Sequence, residues 1–216
     1  MPNGVYRMEV QCLCENKFDV TPVTHVILDD EKNFIERIKD GSFNRFICPK
    51  CNSALRPQVV LHIEWKAKGL KFASIPEKNR YLCLSFCKDK KAAAKSGEKQ
   101  PFSDDEIPLV GMWELLDRIG SISAGLETIP LEALKFLVLD GAKTKKSNME
   151  LSFAGMEDDK LNFYVVGLSD DLGLISVPRA HYEKLLNDYK NKKQKALFAA
   201  LVLGPYISYK NIDTAE

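Results

Sequence analysis

A chain of 216 residues can form one large domain or two small ones, and 45% hydrophobic with 28% charged residues is the balance of an ordinary globular protein. A net charge of +1 favours neither nucleic acid nor a membrane as a partner of the whole molecule, and three histidines speak against a histidine-rich metalloenzyme. The opening residues carry no basic start followed by an apolar core, and the longest apolar run, Ala196 to Leu203, falls far short of the roughly 20 residues of a membrane span. The expected compartment is the cytoplasm, with no membrane association. There, closely spaced cysteines mean metal or redox chemistry more often than disulfides.

In chain order, Tyr6 to Val10 alternates apolar and polar residues and reads as a strand running into Cys12-Leu13-Cys14. Lys17 to Thr21 is the returning strand, which Thr24 to Leu28 extends. Asp29-Asp30-Glu31 suits a helix start, Phe34, Ile35 and Ile38 give that helix an apolar face, and Gly41 is placed to end it. Phe43 to Ile47 is a strand leading into Cys48-Pro49-Lys50-Cys51, and Gln58 to Trp65 a strand leading away. Lys71 to Ile75 and Arg80 to Phe86 read as a hairpin. Lys88 to Gln100 has no large apolar residue and reads as an exposed linker. Ser103 to Glu106 resembles a helix start, with Trp113, Leu116 and Ile119 facing inward from a helix over Val110 to Ile119. Pro130 opens another helix, with Leu131, Leu134, Leu137 and Val138 on its apolar face. Met149 to Phe153, Leu161 to Leu168 and Leu174 to Val177 read as an antiparallel meander with turns over 156–160 and 169–173. A helix from Pro178 to about Lys193 repeats His181, Tyr182, Leu185, Leu186 and Tyr189 at helical spacing. Lys195 to Leu203 is short enough to be either helix or strand.

The two cysteine pairs carry the chemistry. Four thiolates in two close pairs, 33 residues apart, can close a tetrahedral cage around one zinc ion. Pro49 stiffens the second turn, and Asn52 after it tolerates a left-handed backbone. Four thiolates with Zn²⁺ leave a charge near −2, which Lys17, Arg45, Lys50 and Arg56 are near enough in sequence to offset. A filled site of four sulfurs has no open position for water or substrate, so the metal would be structural. Cys12, Cys14, Cys48 and Cys51 are therefore the candidate ligands, against two alternatives: unrelated pairs of buried thiols, or a redox couple of Cys48 and Cys51. The redox reading suffers from Pro57, which leaves no room for the long helix that lowers a thioredoxin-type thiol's pKa.

These features together resemble a known family. Both cysteine pairs, the aromatic Phe18 four residues past the first, the acidic helix ending in Gly41, and Phe43 to Cys51 look like the CpXC domain family. That family is named for its two cysteine motifs, occurs in prokaryotes and has no established activity. The resemblance covers roughly the first hundred residues. Cys48 and Cys51 fit its second motif, while Cys12 and Cys14 depart from the first by having one residue between them, no proline, and Glu15 where a small residue is expected.

Other candidates are weaker. On a strand, Cys83 and Cys87 would share a face about 13 Å apart, too far for one metal, and so read as buried thiols. His62 reads as a half-exposed strand residue, and His25 and His181 lack an acidic or nucleophilic companion at motif spacing. Residues 66–100 carry ten Lys or Arg against three acids, and 101–132 seven acids against one Arg. The favoured reading of the basic run is a solvated linker, and the alternative a contact to nucleic acid phosphates.

The expected fold class is α+β. A zinc-ribbon-like antiparallel β domain with an inserted helix spans 1–87, a basic linker 88–104, and a helical and antiparallel-sheet region 105–216. The expected role is a non-catalytic, zinc-stabilised protein-interaction or adaptor module with one structural zinc per chain. A nucleic-acid-binding zinc ribbon and a thiol–disulfide protein are the alternatives.

Overall fold

The computed structural model describes residues 6–95, 97–141, 149–166 and 173–212. The fold is α+β, in two compact units: Met1–Cys83 with Ala94–Met112, and Leu84–Ala93 with Trp113–Glu216. Among the described residues no helix is long and apolar enough to cross a membrane.

The first unit begins with β1 (Met8–Gln11) and β2 (Lys17–Val20), paired antiparallel as a two-stranded ribbon. β3 (His25–Ile27) leaves this ribbon for a different sheet, because Pro22 and the following residues break the pairing. α1 (Phe34–Lys39) buries Phe34 edge-on against Phe43, and Gly41, at φ 71°, reverses the chain behind it. β4 (Phe46–Ile47) and β5 (Ala54–Leu55) form a second short ribbon. The strand leaving the second cysteine pair is thus β5. The predicted strand Gln58 to Trp65 becomes β6 (Leu61–Trp65), in the four-stranded sheet of order β3-β6-β7-β8 with β7 (Leu70–Ile75) and β8 (Ile107–Val110). That sheet is mixed: β3 with β6 and β7 with β8 are parallel, and β6 with β7 antiparallel.

The predicted hairpin partner of β7 is instead a helix, α2 (Arg80–Lys88). Its buried residues are Cys83, Phe86 and Cys87, an i, i+3, i+4 pattern, while Tyr81 is exposed. Strand-like alternation at Leu82, Leu84 and Phe86 masked that period. Both thiols are buried, but they lie one helical turn apart, which replaces the 13 Å strand estimate. The basic stretch that follows is exposed and holds one short helix, α3 (Lys90–Ala94), whose first amides, Lys91 N and Ala92 N, donate to Asp89 Oδ1. The apparent helix start at Ser103 to Glu106 leads into β8 instead, because Pro108 sits where a helix interior would be broken.

The second unit contains α4 (Gly111–Ser123) from Trp113 onward, and α5 (Thr128–Gly141). The inward face of α4 is Leu115, Asp117, Arg118 and Ile119; Trp113, expected inward, is 42% exposed. The meander is present as β9 (Glu150–Glu157), β10 (Lys160–Val166) and β11 (Gly173–Pro178), in the order β11-β10-β9. Residues 167–168 of the predicted second strand and 169–172 of the predicted turn lie outside the described residues. α6 (Arg179–Lys190) follows, then α7 (Lys195–Ala200), β12 (Val202–Leu203) and β13 (Tyr206–Ile207). The ambiguous run from Lys195 to Leu203 is therefore helix and then strand. The core joins Leu131, Leu134, Leu151, Phe153, Leu161, Phe163, Tyr182, Leu185 and Leu201.

Sequence patterning misses what crosses this core. Lys135 Nζ, 2% exposed, donates to Asp117 Oδ2 at 2.6 Å and Glu132 Oε1 at 2.7 Å. Asp117 Oδ1 accepts from Phe153 N, and Glu132 Oε2 from Tyr209 N, whose hydroxyl accepts from Leu151 N. Phe153 and Leu151 lie on β9, which is a sheet edge. Side chains thus cap amides that would otherwise invite another strand. Burial pushes Asp117 above the usual carboxylate range, while for Lys135 the two acids outweigh burial and raise it. Burial also opposes ionisation of Glu132, but Lys135 and Arg118 overcome it and lower that pKa.

Candidate metal centre

Each cysteine pair sits where one of the short ribbons turns, and the two turns are built alike. In the first, Cys12 N donates to Asn16 O and Glu15 N to Cys12 O, both at 2.9 Å. In the second, Cys48 N donates to Ser53 O and Asn52 N to Cys48 O, again at 2.9 Å. The residue after the last cysteine takes a positive φ in both, 66° at Glu15 and 61° at Asn52. Asn meets this need at little cost. Glu does so against roughly 1–2 kcal/mol of Cβ crowding, so the first turn adopts the shape in spite of its sequence.

The turns bring four sulfurs together. Cys12, Cys14, Cys48 and Cys51 offer Sγ atoms that all lie within 4.8 Å of one another. Cys12 Sγ is 3.5 Å from Cys51 Sγ, and Cys14 Sγ 3.7 Å from Cys48 Sγ. A tetrahedron with metal–sulfur arms of 2.3 Å has edges of about 3.8 Å, so these separations fit one four-sulfur metal site. No oxygen or imidazole ligand joins the cluster among the described residues.

The surroundings hold thiolate charge unevenly. Hydrogen bonds from the Ser53 hydroxyl and then its amide bring Cys51 down to about 6. Burial opposes ionisation of Cys48, but the amides of Cys51 and Lys50 outweigh it and lower that pKa. Asn16 Nδ2 also lies 3.6 Å from Cys48 Sγ. Cys12 receives the Cys14 amide, which lowers it, yet burial and the neighbouring thiols push it up to about 12. Four sulfurs this close cannot all carry charge without a cation among them. Two of the basic residues expected to help are engaged elsewhere: Lys17 pairs with Glu9 at 3.4 Å, and Arg56 donates to Gly41 O at 2.9 Å. The offsetting role expected of these two residues is therefore not what the structure gives them. The donor set suits a soft or borderline divalent ion, and four sulfur ligands would fill its coordination.

The CpXC protein family matches residues 10–135, which is more than half of the chain and takes in both cysteine turns. The chain belongs to the CpXC family. Its match runs past the first hundred residues into α5. An uncharacterized protein of Treponema pallidum (strain Nichols) is 30% identical over 217 residues, spanning 96% of this chain and 99% of that one. No solved structure matches the chain.

The remaining candidates fall elsewhere. Cys83 and Cys87 do not join the sulfur cluster. His62 is half-buried as expected, but Glu106 reaches it across Ala73, with Oε1 2.7 Å from His62 Nδ1. His25, the parallel partner of His62, stacks on it with ring centroids 4.9 Å apart. No local spacing could reveal that trio, since it converges from β3, β6 and the residue before β8.

Proposed function

We propose that this CpXC protein is a non-catalytic, zinc-stabilised module for protein interaction, an adaptor whose metal holds the cysteine turns in shape. The observation that supports it is the four-sulfur cluster, whose ligand set leaves a tetrahedral ion no open position for substrate. The bound ion would answer the sulfur charge and fix the two ribbons; the chain's own part is to aim four thiols and the amides that brace them. Leu13, at the tip of the first turn, is fully exposed, which suits a side chain held out for a protein partner.

Native mass spectrometry tests the metal: the reading requires one zinc per chain, lost on chelation together with order in residues 8–65. Partner capture tests the adaptor role, with Leu13→Glu expected to abolish retention of any protein that the unaltered chain reproducibly enriches. A chain that stays folded and metal-free after expression in zinc-replete medium would refute the reading.

One observation favours a second reading, a thiol–disulfide protein using Cys48 and Cys51. Cys51 is exposed and its pKa lies near 6, the character of a reactive thiol. Against it, Cys48 leads into β5 and no helix begins there. Reversible Cys48–Cys51 oxidation in protein that never binds zinc would favour this reading.

A further inference from the structure

Past the end of α6 the second unit carries a lysine-rich loop whose backbone is fixed. Lys193 N donates to Asp188 O and Lys192 N to Tyr189 O, the 6→1 and 5→2 bonds of a Schellman ending. Such an ending needs a left-handed residue where glycine is usual; here it is Lys192 at φ 55°, and Gln194 follows at φ 47°. Both lie in the left-handed region that a Cβ disfavours and glycine enters freely. The loop therefore keeps side chains at a conformational expense that glycine would avoid.

Those side chains are cationic and unanswered. Residues 184–195 hold five lysines and one acid, Asp188, which is buried and bound by Gln194 Nε2 at 2.6 Å. Lys190 pairs with Glu127 at 3.2 Å and favours the negative end of α6. Lys192, Lys193 and Lys195 lie beyond that last turn, are exposed, and have no carboxylate partner among the described residues. A solvated helix end explains Lys190 and leaves these three unexplained.

We infer that the loop 190–195 is a contact surface for the phosphodiester backbone of a nucleic acid. Three lysines within four residues, a stretch of at most about 13 Å, present positive charge at a density that matches phosphates rising about 3.4 Å apart along one strand. Asn191 and Gln194, both exposed, are the polar residues between them. No large apolar residue is exposed from 190 to 196, so the loop has nothing to insert into a lipid surface. This surface is independent of the sulfur cluster, so zinc binding can fail or hold without deciding it.

The test is fluorescence anisotropy of the full zinc-loaded chain with labelled 20-nucleotide single-stranded RNA and 20-base-pair DNA, titrated from 25 to 200 mM salt. Affinity in the micromolar range is expected at low salt. Lys192→Glu, Lys193→Glu and Lys195→Glu together should weaken it at least tenfold and reduce the slope of log K against log salt by about two to three. Lys66→Glu, Lys68→Glu and Lys78→Glu, an equal charge change on exposed lysines of the first unit, should change affinity less than twofold. RNA binding without DNA binding, or the reverse, identifies the strand form and upholds the surface. Were the reversed loop to lose its circular dichroism signature, glutamine at the same three positions carries the test with a smaller slope change. Absence of binding at 25 mM salt, equal loss in both triple variants, or binding to phosphatidylserine vesicles in place of nucleic acid would overturn the inference.

Discussion

Residues 8–55 gather four sulfurs, with Lys17 and Arg56 engaged elsewhere, whereas residues 113–210 bury Asp117 and Glu132 against a lysine the chain itself supplies. Both arrangements gather groups that become negative on ionisation, the two carboxylates buried and the sulfurs partly exposed at Cys14 and Cys51. On the proposed reading the answering charge in the first unit is a bound ion, so order there would depend on what the medium contains. In the second it is covalently part of the fold and depends only on correct packing. Unequal responses to chelators, to substitution and to acid should follow.

Metal removal is the largest of these differences. Chelation, or Cys48→Ser, should withdraw on the order of 10 kcal/mol of binding-coupled folding energy from the first unit. Hydrogen exchange should then lose protection in peptides covering β1 to β5 and keep it in β9 and β10. Equal loss in both regions would erase the distinction between them.

Lys135→Met attacks the opposite arrangement. It leaves two carboxylates buried without their cation, and breaking such a pair costs about 3–5 kcal/mol. Urea denaturation should show that loss, while the metal content read by native mass spectrometry stays that of the unaltered chain. Replacing Asp117, Glu132 and Lys135 together with apolar residues of similar size removes the unpaired carboxylates but leaves the Phe153 and Tyr209 amides without acceptors, at about 1–3 kcal/mol each, so it should not restore the stability of the unaltered chain.

The same contrast explains what could be read from the amino-acid order. The sulfur site was legible because each half is local: one or two residues separate the cysteines of a pair, and Pro49 and Asn52 advertise the turn. The helices at 34–39, 128–141 and 179–190 and the meander were legible because their apolar periods are regular. α2 was not, since Arg80 to Phe86 satisfies a strand's alternation as readily as a helix's period, and only burial of Cys83, Phe86 and Cys87 decides between them. Asp117, Glu132 and Lys135 look like ordinary charges on amphipathic helices. Nothing local announces that the salt bridge spans 18 residues between two helices, or that Phe153 and Tyr209 donate to it.

Backbone strain offers a smaller lever in each unit. Glu15→Asn should relieve the left-handed position in the first cysteine turn and stabilise it by about 0.5–1 kcal/mol, moving its sequence toward that of the second turn. Lys192→Asn should do the same for the end of α6. If the stabilising charges of the two units act independently, Glu15→Asn should raise the chelator concentration needed to unfold β1 to β5 and leave the urea resistance of β9 and β10 unchanged. Lys192→Asn should show the converse.

Acid should reach the first unit by a route that does not involve sulfur. Burial, then the charge of His62, depresses the pKa of His25, so the folded state disfavours its protonated form. A depressed histidine makes stability fall as pH drops below about 6.5, where the unfolded chain takes up the proton more readily. Glu106 acts lower down: burial raises its pKa, but hydrogen bonds from His62 and Ser103 outweigh that and depress it, giving stability that is present above about 4.5 and lost as pH falls further. His25 is mostly exposed, so solvent screens its contribution and the effect is the smallest of the four. His25→Gln should bring the first unit's urea midpoints at pH 5.5 and 7.5 closer together without altering the fall below pH 4.5. Unchanged separation of those midpoints would mean that His25 does not titrate against folding, and that acid acts on this unit through its depressed carboxylates, Glu106, Asp40 and Asp105.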